Sequence, residues 1–334
     1  MTEKGRTLRS LEICAGGGGQ ALGLEQAGFE HVMLIENDSD ACSTLRANRP
    51  GWKVLEADLE SFDASDYPDL HGIDLLSGGV PCSPYTIAGH QLGKDDERDL
   101  LPVALKLVDQ IRPKAVLIEN VSTLARGRRY AETKKEAEGI LQDLRYYPLW
   151  TVLDAQDYGL AQRRRRTVLV ALRSETFLHF QWPTPLGKPP SVGQVLLPSM
   201  ASKGWPGAAE WAAAANDVAP TIVGGSKKHG GGDLGPDRAK TAWMKLGVNG
   251  QSIADDGEGV PGPDYVLRRG LPPDGRDGLP RLEVWQVALL QGFPSDWMFV
   301  GKKTSRYRQV GNAFPPPVAA AVGRQIAAAL RETL

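Results

Sequence analysis

The stretch Glu12-Ile13-Cys14-Ala15-Gly16-Gly17-Gly18-Gly19, with Glu36-Asn37-Asp38 behind it, decides how this chain is read. Residues 8–14 form an apolar run and residues 20–26 an amphipathic one, so the glycines mark a strand turning directly into a helix. A turn without side chains lets a ligand approach the backbone and the helix amino terminus. An acidic residue closing the second strand, here Glu36 beside Asn37, can accept both ribose hydroxyls of an adenosine. The pattern serves NAD, FAD and S-adenosylmethionine alike, and it also suits a purely structural tight turn. Asp58, with Leu59 after it, has two readings: an acceptor for an adenine amino group, or a turn-capping aspartate.

The alternation continues on both sides of the turn. Apolar runs predict strands over 8–14, 31–36, 53–56, 73–77, 115–119, 150–153 and 167–172, with helices over 20–26, 39–48, 100–111 and 134–144. Pro113 and Pro148 fall where a helix should stop before the next strand. This is the pattern of a doubly wound α/β sheet. Residues 181–280 differ, holding 18 of the 38 glycines and 13 of the 24 prolines. Trp182, Trp205, Trp211 and Trp243 lie in the same stretch, and a disordered segment seldom keeps so much aromatic surface, so we read a smaller, loop-rich folded domain. A closing helix is expected over 318–330. The expected division is 1–178 plus 305–334 for the catalytic and cofactor-binding domain, and 179–304 for the second domain.

With 334 residues, 41% hydrophobic and 24% charged, the chain can bury a sizeable core. No stretch approaches the ~20 apolar residues of a membrane span, which points to a soluble, unsecreted protein. Cys14, Cys42 and Cys82 are too far apart for metal-ligand spacing and odd in number, arguing against a zinc site or a disulfide framework. The net charge of −1 gives no sign of nucleic acid, so any DNA footprint must be local. Local candidates are Arg126, Arg128 and Arg129, then Arg163 to Arg166, Lys227 and Lys228, Arg268 and Arg269, and Lys302 and Lys303; each also reads as a solvated surface cluster.

Three further motifs carry chemistry. Gly78-Gly79-Val80-Pro81-Cys82-Ser83-Pro84-Tyr85-Thr86 follows the fourth strand, at the sheet edge where doubly wound folds bind ligands. Cys82, between prolines in a polar loop, is a poor core residue and a candidate nucleophile, because a thiolate can add to a heteroaromatic ring. Glu119-Asn120-Val121 closes the fifth strand, placing a carboxyl in the same crevice, where it can serve a ring nitrogen; a capping or salt-bridge role is the alternative. In Gln162-Arg163-Arg164-Arg165-Arg166, alternation points Arg164 and Arg166 one way and Arg163 and Arg165 the other.

In this order, Ala15-Gly16-Gly17-Gly18-Gly19, Glu36, Asp58, Pro81-Cys82, Glu119-Asn120-Val121, Gln162-x-Arg164-x-Arg166, Leu290-Gln291-Gly292-Phe293-Pro294 and Arg308-Gln309-Val310-Gly311-Asn312-Ala313 resemble the cytosine-5 methyltransferase family from end to end. The resemblance implies a Rossmann-like fold that binds S-adenosyl-L-methionine and releases S-adenosyl-L-homocysteine. It assigns the cofactor to Cys14, Ala15, Gly16, Gly18, Gly19, Glu36, Asn37, Asp58, Leu59 and Pro81, with Asn312 returning beside the glycine turn. Cys82 would attack carbon 6 of a flipped cytosine while Glu119 engages ring nitrogen 3. Arg166 would hold the cytosine carbonyl oxygen and Arg164 would order Cys82 and its loop. The loop 83–99, with Ser83, Thr86 and Arg98, would close over the extruded base. The loop-rich stretch would be the target-recognition domain, with Lys227, Lys228 and His229 as phosphate or base contacts. No metal is implied. The expected partner is double-stranded DNA, with a restriction endonuclease acting separately, for a monomer in a bacterial cytoplasm.

Four positions depart from the family pattern: Ser83 stands where Gln is usual, Cys14 where an aromatic is usual, and Glu283 and Gln286 where Thr and Glu are usual. The last pair puts the packing of the recognition domain in question. Other readings are a tRNA methyltransferase, since one branch of the family uses the same motifs; an inactive nucleic-acid-binding scaffold; and a nicotinamide oxidoreductase. The last explains the glycine turn and nothing downstream.

Overall fold

The structure, a computed structural model, describes residues 6–80, 100–121, 131–225, 231–268 and 278–333. Its first half runs β1 (Leu8–Ile13), α1 (Gly19–Gln26), β2 (Phe29–Glu36), α2 (Ser39–Asn48), β3 (Val54–Glu56), β4 (Leu75–Gly79), α3 (Leu101–Ile111), β5 (Ala115–Val121), α4 (Ala131–Asp143), β6 (Tyr146–Asp154) and β7 (Arg165–Arg173). The sheet order is β3-β2-β1-β4-β5-β7-β6. β3, β2, β1, β4 and β5 are parallel, and β7 runs antiparallel to β5. The chain winds outward from β1 to β3 and then restarts at β4 on the other side of β1. The carboxyl ends of β1 and β4 therefore flank the point where the winding reverses, which is where doubly wound sheets bind ligands.

Strand alternation sorts the two faces. Leu11, Ile13, Leu76, Val116, Ile118 and Leu169 share one apolar core, which α3 covers with Leu101, Ala104, Leu105, Val108 and Ile111 at helical spacing. The intervening residues Glu12 and Ser77 pair across β1 and β4 and take the opposite face. Glu119, opposite Gly79, shares that face two residues beyond Leu117, the residue opposite Ser77. On this side α1 meets the closing helix, and a Cβ on Gly323 would come within 2.9 Å of Ala27 Cβ.

The doubly wound α/β fold is the expected one, and the differences are local. Pro148 ends no helix: it lies inside β6, the edge strand, the one place in a sheet where proline is readily tolerated. The fourth strand starts at Leu75 rather than at 73, because Leu59–Ser61, Ala64–Asp66 and Pro68–Leu70 form three short 3₁₀ turns ahead of it, which apolar periodicity does not reveal.

The chain divides into two compact units: Met1–Leu153 with Arg165–Thr184 and Val318–Leu334, and Asp154–Arg164 with Pro185–Pro317. The first also contains the short α5 (Ser174–Phe177). The second contains α6 (Val192–Ala201), α7 (Ala208–Ala214), α8 (Asp237–Lys245), α9 (Val284–Leu290) and α10 (Lys303–Asn312); α11 (Pro316–Arg331) closes the chain. In the second unit Trp205, Trp211 and Trp243 are buried, and α6 and α7 touch backbone to backbone, since a Cβ on Gly193 would sit 2.0 Å from Ala212 O.

Glu12 is a buried carboxyl on β1. Burial pushes its pKa up to about 8, against the smaller lowering effects of Ser77 and the Ala21 backbone. Between the ordinary value of 4.5 and 8 the folded protein holds a proton that the unfolded chain has released, so this group makes stability fall as pH rises through that window. Glu12→Gln, a neutral isostere, is expected to raise the urea midpoint at pH 8 and to lose that advantage towards pH 5. Midpoints that run parallel at all pH values contradict the assignment.

Candidate active site

The glycine turn is shaped by three left-handed residues, Cys14 (φ 51°), Gly16 (φ 54°) and Gly18 (φ 87°), and closed by a bond from Gly18 N–H to Ala15 O of 3.1 Å. Among the described residues nothing lies within 4 Å of where a Cβ on Gly16 would be, so they leave the backbone here open to a ligand. Gly19 begins α1. Glu36 fastens the turn to β2: its Oε2 accepts from Gly16 N–H at 2.7 Å, and its Oε1 accepts from Asn37 N–H at 3.0 Å and Asp38 N–H at 2.8 Å. A carboxylate has about four acceptor positions, so among the described residues Oε2 keeps room for a further donor. Asp58 caps the turn that begins at the buried Leu59, its Oδ1 accepting from Glu60 N–H at 3.0 Å.

A residue not singled out by sequence belongs beside them. Gln20, the second residue of α1, is buried, and among the described residues neither its Nε2 nor its Oε1 has a hydrogen-bond partner. A donor and an acceptor left unused next to an open glycine turn fit a polar ligand such as the amino-acid end of S-adenosylmethionine.

At the carboxyl end of the sheet Glu119 and Arg166 come together. The ladder sets Val121 opposite Arg166 and Glu119 opposite Val168, so the two charged residues are diagonal neighbours on one face. Arg166 Nε lies 2.9 Å from Glu119 Oε1, with both side chains largely buried. Glu119 Oε2 lies 3.5 Å from where a side chain on Gly79 would begin, over the last residue of β4. Cys82 itself, with Pro81, Ser83, Thr86 and Arg98, lies outside the described residues.

The other two cysteines are chemically quiet. Burial, with Glu36 and Asp58 adding to it, pushes the Cys14 thiol far above its usual value. Cys42 is fully buried against Glu36 O, its thiol pushed up to about 12, first by burial.

The arginine run alternates as expected: Arg163 and Arg165 are exposed, Arg164 and Arg166 are not. Arg163 pairs with Asp217 at 3.2 Å. Arg164, 1% exposed, donates from Nη1 to Ile222 O at 2.7 Å and from Nη2 to Ala313 O at 2.8 Å. Beside it Gln162 donates to Gln291 and accepts from Ile222 N–H at 3.0 Å, while Gln291 Nε2 donates to Ala313 O at 2.9 Å. Gln162, Gln291 and Ala313, from three separate motifs, thus meet in one buried polar hub. Asn312 donates to Gly225 O.

Lys227, Lys228 and His229 lie outside the described residues. Lys303, from another basic cluster, is taken up internally by Asp255 at 2.7 Å. The unusual Glu283 and Gln286 form a capping box at the start of α9, in which Gln286 Oε1 accepts from Glu283 N–H at 2.9 Å. Glu283 also accepts from Gly259 N–H at 2.9 Å and Gly257 N–H at 3.1 Å, and Gln286 Nε2 donates to Ser199 Oγ at 3.0 Å. The two substitutions fit each other, which answers the question they raised about packing.

Residues 8–328 match the family described as C-5 cytosine-specific DNA methylase. The chain is 48% identical over 326 residues to the type II methyltransferase M.NaeI of Lentzea aerocolonigenes, covering 97% of this chain and 76% of that protein. It is 45% identical to M.NgoMIV of Neisseria gonorrhoeae, covering 97% and 98%. Among solved structures, a prophage-encoded DNA modification methyltransferase from E. coli superposes with a TM-score of 0.65 at 22% identity, over 97% of this chain and 99% of that one, a likeness of fold.

Proposed function

The chain belongs to the C-5 cytosine-specific DNA methylase family, and we propose from that premise that Cys82 is the nucleophile of its methyl transfer, with Glu119 and Arg166 acting on the same base. The protein is an S-adenosylmethionine-dependent DNA cytosine-5 methyltransferase. The cofactor, when bound, supplies an electrophilic methyl group on a sulfonium centre.

The observation that carries the reading is the Glu119–Arg166 pair at the end of β5, with Glu119 Oε2 over Gly79, three residues before Cys82. Cys82 adds through sulfur to carbon 6, Glu119 hydrogen-bonds ring nitrogen 3 as the ring gains electron density, and Arg166 holds both the carboxylate and the carbonyl oxygen. Carbon 5 would take the methyl group the cofactor supplies, and loss of its proton to a base would then re-form the ring double bond and expel the Cys82 thiolate. Cys14 and Cys42 offer no competing nucleophile, since both thiols are held protonated. Arg164, held by two carbonyls, orders the backbone at Ile222 and Ala313, and we assign it the ordering of Cys82 and its loop. Ser83, Thr86 and Arg98 belong to the closing loop.

The cofactor is assigned to Cys14, Ala15, Gly16, Gly18, Gly19, Glu36, Asn37, Asp58, Leu59 and Pro81. Residues 1–178 with 305–334 form the catalytic domain and 179–304 the target-recognition domain, where Lys227, Lys228 and His229 meet DNA. Among the described residues no helix is long and apolar enough to cross a membrane. A monomer in a bacterial cytoplasm, paired with a separately acting restriction endonuclease, completes the reading. Incubation with labelled S-adenosylmethionine tests the substrate: label should pass to duplex DNA and not to tRNA, and labelling of tRNA alone overturns it.

A further inference from the structure

The four successive glycines 16–19 have little preference of their own for one conformation, and the helix they lead into, α1, begins at an N-cap without a side chain, Gly18, with no acidic residue in its first turn. The turn is held from the strands beneath it. At its front, Glu36 accepts from Gly16 N–H at 2.7 Å and Ile35 O accepts from Ala15 N–H at 3.1 Å. At its back, both backbone groups of Ala21 are engaged. The N–H, one of the donors that a helix start leaves unpaired, goes to the buried carboxyl of Glu12, and the carbonyl accepts from His31 Nε2 at 2.9 Å.

His31 reaches α1 because β2 is irregular. Met33 and Ile35 belong to the core that α3 covers, and simple alternation would send His31 the same way. Instead the register slips by one residue: Ser10 lies opposite His31 but Leu11 opposite Met33, leaving Val32 as an extra residue. The bulge turns His31 to the face of Ser10, Glu12 and α1, and re-aiming a side chain is what such bulges do. A carbonyl only accepts, so Nε2 carries the imidazole proton and Nδ1 accepts the Ser10 hydroxyl at 3.0 Å, while Trp52 meets the ring edge-on at 4.9 Å. Burial, against the Ala21 bond and Glu25, holds the His31 pKa below its ordinary value and so favours the neutral ring this pairing needs. We infer that His31 is a positioning residue for the cofactor: through the Ala21 carbonyl it sets the first turn of α1, and with it the glycine turn, in the conformation that S-adenosylmethionine meets. A turn ordered in advance loses little entropy on binding. The inference rests on the assignment of the cofactor to the glycine turn.

His31→Leu removes both ring hydrogen bonds and keeps apolar bulk. S-Adenosylmethionine binding, measured by calorimetry without DNA, should weaken about three- to tenfold, the range of one hydrogen bond, while duplex affinity, measured by fluorescence anisotropy, stays within about twofold. In steady state KM for S-adenosylmethionine should rise with kcat unchanged. His31→Gln, whose Nε2 can donate to the Ala21 carbonyl, should bring cofactor affinity back to within about twofold of wild type. Ser10→Ala, a smaller change that releases Nδ1 and serves where the leucine variant does not fold, should weaken cofactor binding about threefold. Unchanged cofactor affinity in the leucine and alanine variants overturns the inference, as does a glutamine variant as weak as the leucine one, or a fall in kcat with KM unchanged. Glu36→Ala separates the two levels. If it weakens cofactor binding while the His31 and Ser10 variants do not, only the positioning role falls; if it too leaves cofactor binding unchanged, the assignment of the cofactor to the glycine turn falls with it.

Discussion

Glu119→Gln is expected to lower the single-turnover methylation rate by about a hundredfold or more, the usual size of a lost acid–base contribution. The amide keeps the shape of the carboxyl and can still hydrogen-bond ring nitrogen 3, but it neither supplies nor takes a proton. It also removes the charge that Arg166 Nε meets at 2.9 Å, leaving a largely buried guanidinium without its carboxylate. Cofactor affinity should change little, because Glu119 lies on β5 and the glycine turn follows β1, with β4 between them. A variant that turns over at the wild-type rate removes Glu119 from the chemistry.

Arg164→Ala should cost about 2–6 kcal/mol of stability, the sum for two buried carbonyls that each lose a charged donor at about 1–3 kcal/mol apiece. The carbonyls belong to Ile222 and Ala313, far apart in sequence, and one planar guanidinium reaches both. Arg164→Lys, with a single charged nitrogen, should recover only part of the loss. Urea denaturation followed by tryptophan fluorescence reads this directly, because Trp205, Trp211 and Trp243 are buried in the same unit. A shift below about 1 kcal/mol contradicts the view that Arg164 acts chiefly by holding backbone.

These two residues show what sequence can and cannot reveal. The alternation of side chains along an extended chain separates Arg164 and Arg166 from Arg163 and Arg165, and the structure keeps that separation. Alternation says nothing of partners, and Arg164 proves to be bound by carbonyls 58 and 149 residues away. The glycine turn is legible because a backbone conformation selects the residue, but the hold of Glu36 on Gly16 N–H is a contact between strands and has no local signal. Pro148 misleads because a proline within an edge strand looks, in sequence, like a proline that ends a helix. Gln291 and Gly311 stand in motifs that are easy to recognise, whereas their packing into a polar hub and against Gly224 appears only in three dimensions.

The central claim is covalent attack by Cys82, and trapping tests it most directly. The protein is incubated with labelled S-adenosylmethionine and duplex DNA carrying 5-fluorocytosine, in which fluorine blocks the loss that would free the thiol, and a denaturation-resistant complex is then sought. A labelled protein–DNA adduct that disappears in Cys82→Ala is the predicted result. An adduct that persists in that variant, or wild-type methylation that proceeds with no adduct on fluorinated DNA, contradicts it.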